Sequence, residues 1–415
     1  MAAKPAILPD FGLLRRNRHF RTVFLARTLS VLSLGLLTVA VPVQIQALTG
    51  SALQVGAAMT LGGGATFAGL LAGGVLADRH DRRRLILFAR LVCGLGFVGL
   101  ALNAFAPSPW LPVLYVLAVW DGFFGAIGMT ALMAAVPALV GRENLAAAGA
   151  LGMLTVRLGG VISPALGGLV IVSAGVEWNY ALAAAGTFLT VVSLLRLPAM
   201  PPRGGVEPPA RALAAGMTYL FANRMVGAVV AVGTLASLGG GIRVLFPGLS
   251  PEPAAVGLMF AAVPAGATLG ALTSGWLSRA RRPGALLFLS GGSAFVAVAA
   301  LGLSAGPPVG LAVLVTYGYL GSVASLLQYT LVQKNTPDHL LGRVNSLWTA
   351  QFIVGDALGA LLVGALAGAL PVATALLAFS GTALGIGLVM AVGFGTLRRW
   401  SEAEEVVERA CVPSG

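Results

Sequence analysis

Gly74-Val-Leu-Ala-Asp78-Arg79-His80-Asp81-Arg82-Arg83-Arg84 is the stretch on which the fold turns. It joins two apolar runs, 51–77 and 84–106, each long enough to cross a hydrocarbon core that needs about 20 residues of helix. A glycine stands near the end of the first run, an acid closes it, and four arginines follow. The same grouping of arginines recurs between other apolar runs. Arg15, Arg16, Arg18 and Arg21 precede the first, Arg279, Arg281 and Arg282 follow the eighth, and Arg398 and Arg399 follow the last. The alternate loops, at 49–51, 107–112, 175–178, 247–253, 304–308 and 370–371, contain no Lys or Arg. Basic loops on one side and none on the other is the positive-inside pattern, and it places both termini in the cytoplasm.

Composition agrees with this reading. Of 415 residues, 57% are hydrophobic and 10% charged, against about a quarter charged in soluble domains. The net charge of +12 therefore reports topology, and nucleic acid is not expected as a partner. Apolar runs and turn signals place spans near 20–47, 51–77, 84–106, 110–137, 145–174 and 178–198, then 225–247, 252–278, 284–304, 308–333, 345–369 and 371–397. The predicted class is an all-α membrane protein with twelve transmembrane helices. The first span reads as a retained helix, since no small-residue cleavage site follows it. Cys93 and Cys411 read as free thiols.

Leu197 to Pro209, rich in Pro and Gly, reads as a linker between halves. An internal repeat supports two pseudo-symmetric six-helix bundles. Pro137, Gly141 and Arg142 after span four recur as Pro337, Gly342 and Arg343 after span ten, and Gly74 and Arg79 are echoed by Gly275 and Arg279. The expected organisation is a first bundle over 1–198, a linker with a surface helix over 199–224, a second bundle over 225–400 and a tail over 401–415. Duplicated bundles are a transporter architecture with the site between them near the midplane. A self-contained ATP-driven pump is excluded by the lack of a Walker A sequence. His19, His80 and His339 all fall outside the spans, so no metal site and no cofactor are expected, and catalytic signals are weak.

The loop 74–84 resembles the cytoplasmic loop motif of the major facilitator superfamily, with Gly74, Asp78, Arg79, Arg82 and Arg83 in place. Asp81 stands where that family usually has a second glycine. Span five carries Gly159-Gly160-Val-Ile-Ser163-Pro164-Ala-Leu-Gly167-Gly168, similar to the superfamily's antiporter motif with Ser163 replacing a glycine; a small-residue packing face would explain the run equally well. Strings at 21–27, 39–46, 120–124, 137–145, 154–159, 325–330 and 347–351 resemble superfamily exporters of catecholate siderophores. That resemblance runs from about Leu13 to Trp400. It implies proton-driven export of a siderophore across a bacterial inner membrane; a multidrug or other small-molecule antiporter on the same fold is the alternative.

Charges inside a bilayer are costly, by ~2.5–3.5 kcal/mol on insertion scales, so each needs a reason. Asp121, Arg157 and Asp356 fall near the middles of spans four, five and eleven, Arg27 two turns into span one, and Arg243 near the outer end of span seven. A carboxyl group within the bilayer can carry a proton, which makes Asp121 and Asp356, with Arg157 as a neighbouring charge, the candidates for proton coupling. A structural salt bridge, Asp121 with Arg157 for example, is the alternative. By superfamily analogy spans one, four, seven and ten line the cavity, exposing Arg27, Asp121 and Arg243 to substrate. Span ten adds Ser325, Gln328 and Tyr329, in a polar stripe with Tyr319 and Ser322 that could equally serve hydrogen bonds between helices. Trp120 and Phe124 flank Asp121 as a candidate aromatic wall. Pro164 joins the loop motif as a candidate for conformational change.

Overall fold

A computed structural model describes residues 11–201, 209–304 and 306–400. The tail 401–415 and part of the expected linker lie outside these residues. Eleven helices among the described residues are long and apolar enough to cross a membrane. A twelfth helix, Val176–Leu194, occupies the place expected for span six. Its 19 residues rise about 28 Å, and its polar first turn, with Glu177 and Asn179, dilutes its hydropathy. Asn179 nonetheless packs inside the bundle, where its Nδ2 donates to Gly167 O of span five at 3.0 Å.

Spans one to five are Arg18–Thr49, Ala52–Arg79, Arg82–Phe105, Leu111–Val140 and Leu145–Ala174. Span seven covers Arg224–Leu249 and span eight Pro253–Arg279. Spans nine to twelve are Pro283–Gly302, Pro307–Asn335, Asp338–Ala369 and Val372–Gly393. The helix Pro209–Ala222 precedes span seven, and Asn223 caps the span by accepting from Met225 N and Val226 N.

The chain forms two compact units. The first takes in Met1–Pro209 and Phe246–Ala261, the second Ala210–Leu245 and Ala262–Gly415. Within the first, spans two and four approach through glycines. A Cβ on Gly69 would run into the Phe123 carbonyl oxygen, and one on Gly122 into that of Gly62, so backbones touch where side chains would hold them apart. Span five carries Pro164, whose carbonyl would lie 2.6 Å from a Cβ on Gly257 of the same unit. Ser163, the departure from the antiporter pattern, is buried against span one, and Gly35 supplies the room for its hydroxyl.

Candidate functional site

Each unit holds a charge cluster within its helices. In the first, Asp121 of span four faces span three. The Arg90 charge acts on it, and Cys93 lies on the same face of span three. Arg90 and Cys93 lie one turn apart on span three and both are buried. Asp121 Oδ1 is buried without a hydrogen-bond partner. The basic neighbour is thus Arg90 rather than Arg157, which is half-buried on span five. Span three, not span five, packs against this face of span four: a Cβ on Gly128 would meet Ala89 and Arg90. Sequence reasoning missed Arg90, although a lone arginine two turns inside an apolar run carries the same signal as Asp121.

Trp120 and Phe124 do not close around Asp121. The Trp120 ring lies over Gly96, its Nε1 donates to Val92 O at 2.8 Å, and its centroid is 4.9 Å from that of Phe124. Phe124 in turn meets Phe88 edge-on at 6.0 Å. With Leu61 of span two, the span-four side chains from Tyr115 to Phe124 line an apolar cavity of about 410 Å³, and Asp121 is not among its walls. The aromatic cluster and the acid open to different sides of one helix.

Arg27 of span one is half-buried. Its guanidinium lies over Gly152 of span five, where a Cβ would come within 2.9 Å of Nη1. Among the described residues no carboxylate lies within ion-pair distance of it.

The second unit pairs two residues that the sequence presents separately. Span seven leaves α-helical geometry at Gly239, runs as a 3₁₀ helix to Leu245, and resumes at Phe246. This break turns Arg243 toward span eleven. Its Nη2 donates to both carboxylate oxygens of Asp356, and its Nε donates to Gly240 O at 3.0 Å. The glycines make the approach possible: a Cβ on Gly241 would collide with the Gly359 carbonyl. Arg243 is therefore an ion-paired residue in this structure. The pair keeps some access, with side chains 34% and 27% exposed. The Tyr317 hydroxyl comes up beside it, 2.8 Å from where a Cβ on Gly239 would lie.

Span ten divides the expected stripe between neighbours. Ser322 is buried against Gly270 of span eight, and Tyr319 OH accepts from Thr273 Oγ1 at 3.2 Å. Ser325 is half-buried. Gln328 is buried under Gly233 of span seven and its Nε2 donates to Gln351 Oε1 at 3.4 Å. Tyr329 is exposed and stacks, tilted, on Trp348 at 5.9 Å.

The loop motif is well bonded. Gly74 faces open space, with nothing within 4 Å of where a Cβ would stand, while Asp78 is half-buried and Arg79 exposed. Arg82 is buried, and its Nη1 donates to Ala134 O at 3.0 Å. Arg83 Nη2 donates to Leu195 O at 2.6 Å.

Comparison with known proteins places this architecture. The family model described as Major Facilitator Superfamily matches residues 23–360. Enterobactin exporters named EntS from Escherichia coli O1:K1 / APEC and from Shigella boydii serotype 18 are each 50% identical over 405 residues, covering 96% of this chain and 97% of theirs. Among solved structures, the nucleoside transporter NupG superposes with a TM-score of 0.74 at 15% identity, covering 92% of this chain and 99% of its own. A POT peptide transporter in complex with sulfate gives 0.70 at 16%, covering 93% and 96%. The chain is a multi-pass membrane transporter, not an enzyme, and it belongs to the major facilitator superfamily.

Proposed function

We propose that the chain exports a catecholate siderophore of the enterobactin kind across a bacterial inner membrane, by alternating access coupled to proton antiport. The observation that carries the substrate is the 50% identity to enterobactin exporters over 96% of the chain. The geometry supplies groups of the right chemistry. Arg27, half-buried and without a carboxylate partner among the described residues, offers charge-assisted hydrogen bonds to catechol oxygens. Tyr329 and Trp348 offer aromatic faces on which a catechol ring stacks. Ser325 and Gln328 add hydrogen-bonding groups on the same helix as Tyr329.

The proton side rests on two acids, Asp121 and Asp356. A proton on Asp356 cancels the charge that holds Arg243, and the freed guanidinium must find another anion or water. A bound catecholate is such an anion. The Arg243–Asp356 pair thus links proton uptake to substrate contact in one exchange of partners. Asp121 lies within reach of the Arg90 charge without a direct ion pair, and Arg157 supplies a further cation on span five.

The test is a deletion strain grown under iron limitation. Cells lacking the protein should retain intact catecholate and secrete less of it, and the wild-type gene should restore secretion. Normal secretion in a deletion strain with no compensating exporter contradicts the substrate reading.

A further inference from the structure

The loop after span two holds a set of bonds that the export reading does not use. Asp81 caps span three, with Oδ1 accepting from Arg84 N at 2.9 Å. Its Oδ2 accepts from the backbone N–H of Met200 at 2.7 Å, 119 residues along the chain. Arg82 N–H donates back to Met200 O at 3.0 Å, so both backbone groups of Met200 are held by adjacent residues of the loop. Arg83 grips Leu195 O nearby. The Met200 side chain is buried in the cluster that contains Ile86, Ala131 and Leu194. The residues leading into the linker are therefore docked, not loose.

We propose that Asp81 is a positioning residue that ties the start of the linker to the loop between spans two and three, so that the two move as one body during transport. The inference goes beyond the export reading and does not depend on which molecule is carried. A glycine at 81, the residue the family pattern has there, offers no side-chain acceptor to either amide. A carboxylate has one oxygen for each, and hydrogen bonds to an ionised acceptor are roughly twice as strong as neutral ones. Asp81 thus divides its oxygens between the helix it starts and the segment it anchors. The loop motif of this chain reaches through Asp81 into the first residues of the linker.

Two variants of the full chain in lipid nanodiscs separate the roles. Asp81→Ser keeps a good N-cap but has one oxygen; Asp81→Gly removes both acceptors. Amide hydrogen exchange is read over 195–201 and over the first turn of span three. In Asp81→Ser the Met200 amide should exchange at least about tenfold faster while the first turn is unchanged, and in Asp81→Gly both should quicken, for loss of a bond to a charged acceptor. At equal membrane levels both variants should export catecholate severalfold more slowly from iron-starved cells. Wild-type exchange at Met200 in Asp81→Ser would overturn the proposal, as would fast exchange with full export. Failure of the substrate reading shows up separately, as no secretion defect on deleting the wild-type gene, and the exchange result then still decides whether the tie exists.

Discussion

Arginines within the apolar helices are each accommodated differently. Arg27 is given room by Gly152, Arg90 is set against Asp121, and Arg243 is held by Asp356 and the Gly240 carbonyl. Removing one partner of a fully buried pair costs about 3–5 kcal/mol, because the other charge is left unpaired. Arg243 and Asp356 are partly exposed, so Asp356→Asn should destabilise by a smaller amount, ~1–2 kcal/mol after allowing for screening. The double variant Arg243→Gln with Asp356→Asn should recover most of that loss, as read by thermal melting in detergent. The same cycle with Arg90→Gln and Asp121→Asn should show coupling, whereas Arg157→Gln with Asp121→Asn should simply add. Additivity in the Arg90–Asp121 cycle and coupling in the Arg157–Asp121 cycle would return Asp121 to span five. Asp121 and Asp356 were legible in the sequence as costly intramembrane acids. Their partners were not, because pairing depends on which helices neighbour each other and on the local break in span seven.

At the scale of the element, glycine contacts set how closely helices pack. Gly241 meets the Gly359 backbone, whereas Gly74 meets nothing within 4 Å. Gly241→Ala should therefore push span seven off span eleven, costing about 1–3 kcal/mol as overpacking does, and should reduce the folded yield. Gly74→Ala should melt at the wild-type temperature yet export more slowly, since the motif's glycine is expected to serve helix contact during the cycle. Full export by Gly74→Ala would leave that glycine without a role. Span positions were readable from apolar length, because a helix that crosses hydrocarbon must satisfy its own backbone. The 3₁₀ segment was written just as plainly in Gly239-Gly240-Gly241, yet a hydropathy pattern does not distinguish a broken apolar helix from a straight one. The stripe on span ten splits for a related reason: its residues share a face, but span eight covers one end of it and span eleven the other.

Across the whole molecule, the arginine-rich loops and the loops without cations imply a single orientation. A reporter fused after Gly415 should be active only if it folds in the cytoplasm, and an alkaline phosphatase fusion there should be silent. An active phosphatase would invert the topology and with it the direction of transport. The number of spans was legible because it follows from repeated apolar lengths. The proposed substrate rests on likeness to siderophore exporters alone, because a few side chains decide specificity on a shared fold. The most direct test of the central claim is therefore transport by the purified protein in sealed liposomes under an imposed pH gradient. Enterobactin should move against the proton flux, and Asp356→Asn should abolish the dependence on the gradient. No enterobactin movement by active, correctly inserted protein that moves an unrelated drug instead would contradict the account.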